Sequence, residues 1–173
     1  MTQIFWIITD PRSLKEKFSK KILAAYLVIG FVCLAQIIGW LYFPWPKTGF
    51  DRQIEIIGAV LTISGALLAT WAKFTMGKFW GPPAEHDFKR QKILITTGTF
   101  SFSRNPIYLG IIVMVFGFSL ALRSYFIFLL VLLYLYFYSA ILEEEKLLEK
   151  YFGEEYLNYK FKVPRFFKLK FFK

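Results

Sequence analysis

The chain has 173 residues, 56% of them hydrophobic and 21% aromatic, with 22 Lys and Arg against 12 Asp and Glu for a formal net charge of +10. Soluble domains carry roughly 45–50% apolar residues, and a chain this short leaves about a third of its unfolded surface exposed after folding, so water alone is a poor solvent for it. The hydrophobicity excludes a disordered chain, and a single cysteine, Cys33, excludes an internal disulfide framework.

In chain order, the segment TQIFWIIT before Asp10-Pro11 is too short to cross a bilayer and suits its interface. A basic stretch, KEKFSKK, then leads into a first apolar run over 22–43 that carries no formal charge. The run is long enough for a hydrocarbon core of roughly 30 Å. It exceeds the apolar stretch of a signal peptide and ends in FPWP without a small-x-small cleavage site, so it reads as an uncleaved anchor. A second run, 54–71, contains only Glu55 near its edge and is dotted with Gly58, Ala59, Ser64, Gly65, Ala66 and Ala69, small residues that let a neighbouring helix approach closely. The third and fourth runs, 107–122 and 125–142, are separated by Arg123 and Ser124 alone, which predicts an antiparallel helical hairpin. Lys and Arg number 5 before the first run, 6 between the second and third and 8 after the fourth, against 3 in the two opposite loops (Lys47, Arg52 and Arg123). The expected protein is therefore an all-α membrane bundle with about four transmembrane helices. Both termini would be cytoplasmic, and the whole of 1–173 would form one domain. Membrane topology accounts for the basic charge without nucleic acid. The tail from Tyr159, YKFKVPRFFKLKFFK, fits either the headgroup region or a solvated basic tail.

The polar connection over 73–105 is much longer than an ordinary helix-to-helix link. It ends at Pro106, which suits a first helical turn, with Asn105 or Ser103 as its cap. Counted from the turn at Arg123 and Ser124, Arg104 lies about as far back as Glu143, Glu144 and Glu145 lie forward, so all four reach the same depth, roughly 28–30 Å away. Tyr108 sits one turn deeper. Such a group can hold a zwitterion, the carboxylates accepting from an ammonium group and the arginine binding a carboxylate; it can equally be a solvated helix start beside a snorkelling arginine. One histidine and one cysteine in different regions speak against a zinc site.

The string ILITTGTFSFSRNPIYLG, followed after the hairpin by EEEKLLEKYFGEEYLNYKFKVPRF, resembles the isoprenylcysteine carboxyl methyltransferase and phospholipid methyltransferase superfamily. Members are membrane-embedded and use S-adenosyl-L-methionine. Their pattern is Leu-Val-Thr-x-Gly-x-Tyr, then Arg-His-Pro-x-Tyr-x-Gly leading into a hairpin, then a Glu-Glu pair ahead of Phe-Gly-x-x-Tyr. The resemblance covers about 94–165 and implies a cofactor-binding part over about 92–160 with a C-terminal cytoplasmic helix. It implies cofactor contacts at Lys92, Leu94, Ile95, Phe100, Asn105, Pro106, Tyr108, Glu144 and Glu145. Asn105 and Lys92 stand where relatives have histidines, and Phe100 where they have a tyrosine. Ala140 stands four residues before Glu144, where the eukaryotic prenylcysteine enzymes carry an arginine, which weakens the case for a prenylcysteine acceptor.

Arg104 and Glu144 are the candidate catalytic residues: Glu144 with Glu145 for the methionine amino group, Arg104 for the pocket wall or an acceptor carboxylate, Tyr108 for packing. The expected activity is methyl transfer to a lipophilic acceptor, a lipid or lipid-modified molecule entering from a bacterial inner membrane or the endoplasmic reticulum, without a metal. A phospholipid amine N-methyltransferase is the same chemistry on another acceptor. An NADPH-dependent sterol-type reductase shares the hairpin motif but not the Glu-Glu pair, and a non-catalytic scaffold would bind neither cofactor. His86 could act as a base but reads as an ordinary polar loop residue; Trp71, Phe74, Phe79 and Trp80 read as an interfacial belt and Cys33 as packing.

Overall fold

A computed structural model describes residues 30, 31, 34–40, 44–77 and 93–167. Among these the architecture is helical: α1 (Asp51–Met76), α2 (Pro106–Ala121), α3 (Leu129–Phe152) and α4 (Glu154–Lys162), with 3-10 turns at Gly98–Ser101 and Tyr125–Phe128. The described residues contain no strand, only an isolated antiparallel bridge between Pro44 and Ser124. Of the first apolar run only 30, 31 and 34–40 are described, and Cys33, Phe79, Trp80, His86 and Lys92 lie outside the described residues.

Helix α1 is longer than the apolar run that predicts it. Its 26 residues reach about 39 Å, because polar residues at both ends extend it beyond the apolar stretch. Thr48 opens it by donating from its N–H to Asp51 Oδ1 at 3.0 Å. Helix α2 has 16 residues, about 24 Å, less than a hydrocarbon core of roughly 30 Å. Among the described residues, the helices long and apolar enough to cross a membrane are Asp51–Met76 and the segment Tyr125–Phe152. Their outward faces are apolar: Ile56, Ile57, Val60, Ile63 and Leu67 on α1, and Val131, Leu132 and Leu135 on α3, are all more than half exposed. Faces of that kind are covered by lipid rather than water, and the chain is membrane-associated.

The two helices α1 and α2 pack backbone to backbone. A Cβ on Gly65 would lie 2.4 Å from the Met114 nitrogen, and one on Gly110 would lie 2.6 Å from the Ala69 nitrogen. Gly58 and Gly117 make the matching approach nearer the turn, at 2.3 Å from Ala121 N and 2.4 Å from Thr62 N. Both pairs fall seven residues apart on their helices, so they lie on one face. Between helices in lipid the gain comes from van der Waals contact rather than from excluding water, and only hydrogen in place of a side chain permits this approach.

Arg123 closes the hairpin between α2 and α3. Its backbone takes φ 49°, its carbonyl accepts from the Trp45 N–H at 2.9 Å, and its guanidinium pairs with Asp51 at 2.9 Å and Glu55 at 3.1 Å. The one charged residue between two apolar runs thus binds the start of α1. From there α3 runs unbroken through Glu143, Glu144 and Glu145 until Gly153, whose φ of 54° ends it and turns the chain into α4.

Candidate functional site

The buried stripe of α3 is Phe137, Ala140, Ile141, Glu144 and Glu145, spaced three and four residues apart as one helical face requires. Two carboxylates therefore continue an apolar seam inward. Tyr108 on α2 packs against this face: its ring centroid lies 4.9 Å from that of Phe137, Ile141 joins the same cluster, and its hydroxyl donates to Glu144 Oε1 at 2.6 Å. The expected register of the hairpin is met at atomic distance, since Arg104 Nη1 lies 3.0 Å from Glu145 Oε1. Neither carboxylate is a solvated helix start, and Arg104 does not snorkel to water; its side chain is 9% exposed against 6% for that of Glu145.

Glu145 has a second cationic partner. Arg165, beyond α4, donates from Nε and Nη2 to its two oxygens at 2.9 and 2.8 Å, a fork-to-fork pair. Arg165 Nη1 also donates to the Tyr138 hydroxyl at 3.2 Å, with the guanidinium 5.2 Å from that ring's centre. The pairing with Glu145 raises the Arg165 pKa still further above its ordinary value, so this cation is permanent. Arg104 Nη1 makes a longer contact of 3.4 Å to the Tyr156 hydroxyl.

Under this cluster Leu94, Tyr156, Tyr159 and Val163 form an apolar core. The Tyr159 hydroxyl donates to the Phe100 carbonyl at 2.7 Å, and Phe100 packs with Ala72, Met76, Ile95 and Ile107. Burial pushes the Tyr156 hydroxyl up to about 12, Glu145 adding to the shift and Arg104 opposing it; burial likewise raises Tyr159. Both phenols hold their protons at neutral pH and are not bases. At this cluster the buried Thr99 Oγ1 and Arg104 Nε have no hydrogen-bond partner. A buried polar atom left in that state is costly, and both lie in the stretch leading into α2.

Of the residues expected to form a site, Arg104, Tyr108, Glu144 and Glu145 come together directly, and Asn105 and Pro106 start the helix that carries Tyr108. Asn105 holds the N-cap position but makes no capping side-chain bond. Its amide donates instead to the Arg165 carbonyl at 3.1 Å, alongside the Ser103 hydroxyl at 3.2 Å, because the backbone of the C-terminal segment lies against the helix start. Leu94, Ile95 and Phe100 serve as packing beneath the cluster. Trp71 and Phe74 are 55% and 62% exposed, facing outward as an interfacial belt does. From the sequence, Arg165 and Tyr138 are assigned no role, and Tyr156 is placed only as the tyrosine of Phe-Gly-x-x-Tyr. Arg165 sits in a basic tail where every cation looks alike, and Pro164, which fixes the chain direction beside it, was the available signal.

A buried, hydrogen-bonded carboxylate thus stands beside an arginine at the open end of an apolar helical hairpin. The family model of phospholipid methyltransferases matches residues 54–155, and the chain belongs to that family. Human protein-S-isoprenylcysteine O-methyltransferase is 27% identical over 138 residues, covering 76% of this chain and 49% of the relative. The protein of the same name from Xenopus laevis is 30% identical over 138 residues, with 76% and 48% covered, and that from Saccharomyces cerevisiae 35% identical over 114 residues, with 65% and 48% covered. The chain spans about half the length of these curated relatives.

Proposed function

We propose that this protein is an integral-membrane methyltransferase that uses S-adenosyl-L-methionine and methylates a lipophilic acceptor reaching the site from the bilayer. The observation that carries the reading is the buried pair Tyr108–Glu144 beside Arg104 and Glu145, at the end of the hairpin that joins the family's two motifs. The donor set fits an amino-acid zwitterion. Glu144 supplies a carboxylate for an ammonium group, while Arg104 Nε and Thr99 Oγ1 are buried donors in want of an acceptor. When bound, S-adenosyl-L-methionine supplies an electrophilic methyl group on a cationic sulfur.

The chain's own residues bind, align and exclude water. Glu144, oriented by the Tyr108 hydroxyl, holds the amino group; Arg104, held by Glu145, faces a carboxylate of the cofactor or the acceptor. Glu145 keeps both oxygens on arginines, so it acts chiefly by placing them. Leu94, Ile95, Phe100, Asn105 and Pro106 shape the floor and rim, and Lys92 is assigned to the cofactor by resemblance alone. Fixing two reactants in line and drying the site supply much of the rate in such displacements. No described residue of the cluster is a ready base, which favours an acceptor that needs no deprotonation, a carboxylate or thiolate. The relatives' name, protein-S-isoprenylcysteine O-methyltransferase, agrees with a carboxylate. The family description, phospholipid methyltransferase, together with Ala140 in place of an arginine, supports a phospholipid amine as the second reading. The four-span arrangement with both termini cytoplasmic follows from the charge distribution and sets the site on the cytoplasmic side.

Incubation of the protein in vesicles with methyl-labelled S-adenosyl-L-methionine tests the activity. Label appearing in a base-labile ester on a prenylcysteine analogue, or in a phospholipid headgroup, assigns the acceptor. No label in any lipophilic fraction, from folded protein that binds the donor, contradicts the lipid-acceptor reading.

A further inference from the structure

Arg165 bridges two elements at once. Its guanidinium grips both oxygens of Glu145 on α3, while its carbonyl accepts from Ser103 and Asn105 just before α2. One residue earlier the Pro164 carbonyl accepts from the Arg104 N–H at 3.0 Å, and Val163 is buried with Leu94, Tyr156 and Tyr159. The segment 163–166 therefore crosses the open end of the α2–α3 hairpin. The other end is closed covalently at Arg123. A hairpin closed at one end pivots about it, so a small splay there moves Tyr108 away from Glu144 unless something ties the far ends.

We propose that 163–166 is a strap that holds the site at working separation, with Arg165 a positioning residue that sets the Tyr108–Glu144 pair through Glu145 and the Ser103–Asn105 backbone. The inference rests on the donor-binding reading of that pair. Three features make it more than general stabilisation. The fork-to-fork pair fixes direction as well as distance. The strap's carbonyls engage the residues that precede α2 rather than its length. Arg104, which faces the ligand, is tied through its own N–H to Pro164 and through its side chain to Glu145.

The test uses the full chain in detergent, with hydrogen exchange over peptides spanning 101–110 and calorimetric binding of S-adenosyl-L-methionine, for wild type, Arg165→Ala, Arg165→Lys and Ser103→Ala. In Arg165→Ala, exchange at the Arg104 and Leu109 amides rises by about tenfold or more, while amides around Gly65 keep wild-type protection. The Kd of the folded variant rises by about tenfold with unchanged stoichiometry, as loss of one charge-assisted contact implies. Arg165→Lys recovers only part of both, because an ammonium group cannot form the fork. Ser103→Ala keeps every charge and shifts both readouts in the same direction by a smaller factor, so the outcome does not depend on Arg165→Ala folding. Unchanged exchange at Arg104 and Leu109 overturns the strap, and so does raised exchange with a wild-type Kd. Failure of the donor reading shows separately, as wild-type protein that does not bind; the exchange difference then decides the strap by itself.

Discussion

The two ends of the α2–α3 hairpin use the same chemistry in opposite proportion. At the turn, one arginine, Arg123, sits between two carboxylates, Asp51 and Glu55. At the far end one carboxylate, Glu145, sits between two arginines, Arg104 and Arg165. The turn cluster is partly wet, Glu55 being 47% exposed, and it ties the hairpin to the start of α1. The far cluster is dry at its centre and adjoins buried polar atoms without partners. On this difference rests the proposal that the turn cluster fastens the fold while the far cluster holds a ligand.

The sharpest way to break this contrast is to neutralise one carboxylate at each end. Glu145→Gln leaves two arginines facing one another in a dry site and lowers stability by about 3–5 kcal/mol, read by thermal unfolding in detergent. Asp51→Asn leaves Arg123 a second carboxylate near water and costs less than about 1 kcal/mol. Comparable losses from the two would erase the distinction. Next in size is Gly65→Val, whose side chain must enter the Met114 backbone; overpacking of that kind costs about 1–3 kcal/mol or more and would act on stability without selective loss of binding. Tyr108→Phe removes a single bond to a carboxylate, worth about 1.5–3 kcal/mol. It should weaken donor binding by roughly ten- to a hundredfold, and it also lowers the unfolding temperature, because the bond is present without the donor.

The smallest effect concerns pH. The Tyr156 pKa is raised in the fold, from 10.0 to about 12. The unfolded chain therefore loses this proton first on alkaline titration, and the stability linked to it is full below pH 10 and declines between 10 and 12. Tyrosinate absorbance should show Tyr156 titrating above the exposed tyrosines, and Tyr156→Phe should flatten the alkaline loss of stability.

Much of the far site was legible because the hairpin is a ruler. Two apolar runs joined at Arg123 place Arg104 level with Glu144 and Glu145 on counting alone, and Tyr108 follows one turn deeper. The close packing of α1 and α2 was also legible, as small residues in an apolar run have little other use. Arg165 was hidden because its partner lies on another element and its neighbours are equally basic; apart from Pro164 beside it, only tertiary packing distinguishes it from Lys160 or Lys162. Asn105 shows a different limit. Its position as N-cap is a local property, but its side chain is held by the bond from Nδ2 to the Arg165 carbonyl and makes no capping bond. The division of labour between Glu144 and Glu145 was invisible for the same reason, since adjacent identical side chains differ only in what packs against them.

The central claim, that the dry end of the hairpin is a methyl-donor site and the wet end a fastening, is tested most directly by calorimetry. S-adenosyl-L-methionine is titrated into folded, detergent-solubilised wild type, Glu144→Gln, Arg104→Ala and Asp51→Asn. The account predicts saturable binding at one site in wild type and Asp51→Asn, and its loss in Glu144→Gln and Arg104→Ala. Binding that survives in Glu144→Gln and Arg104→Ala, or that is absent from the folded wild type, would contradict it.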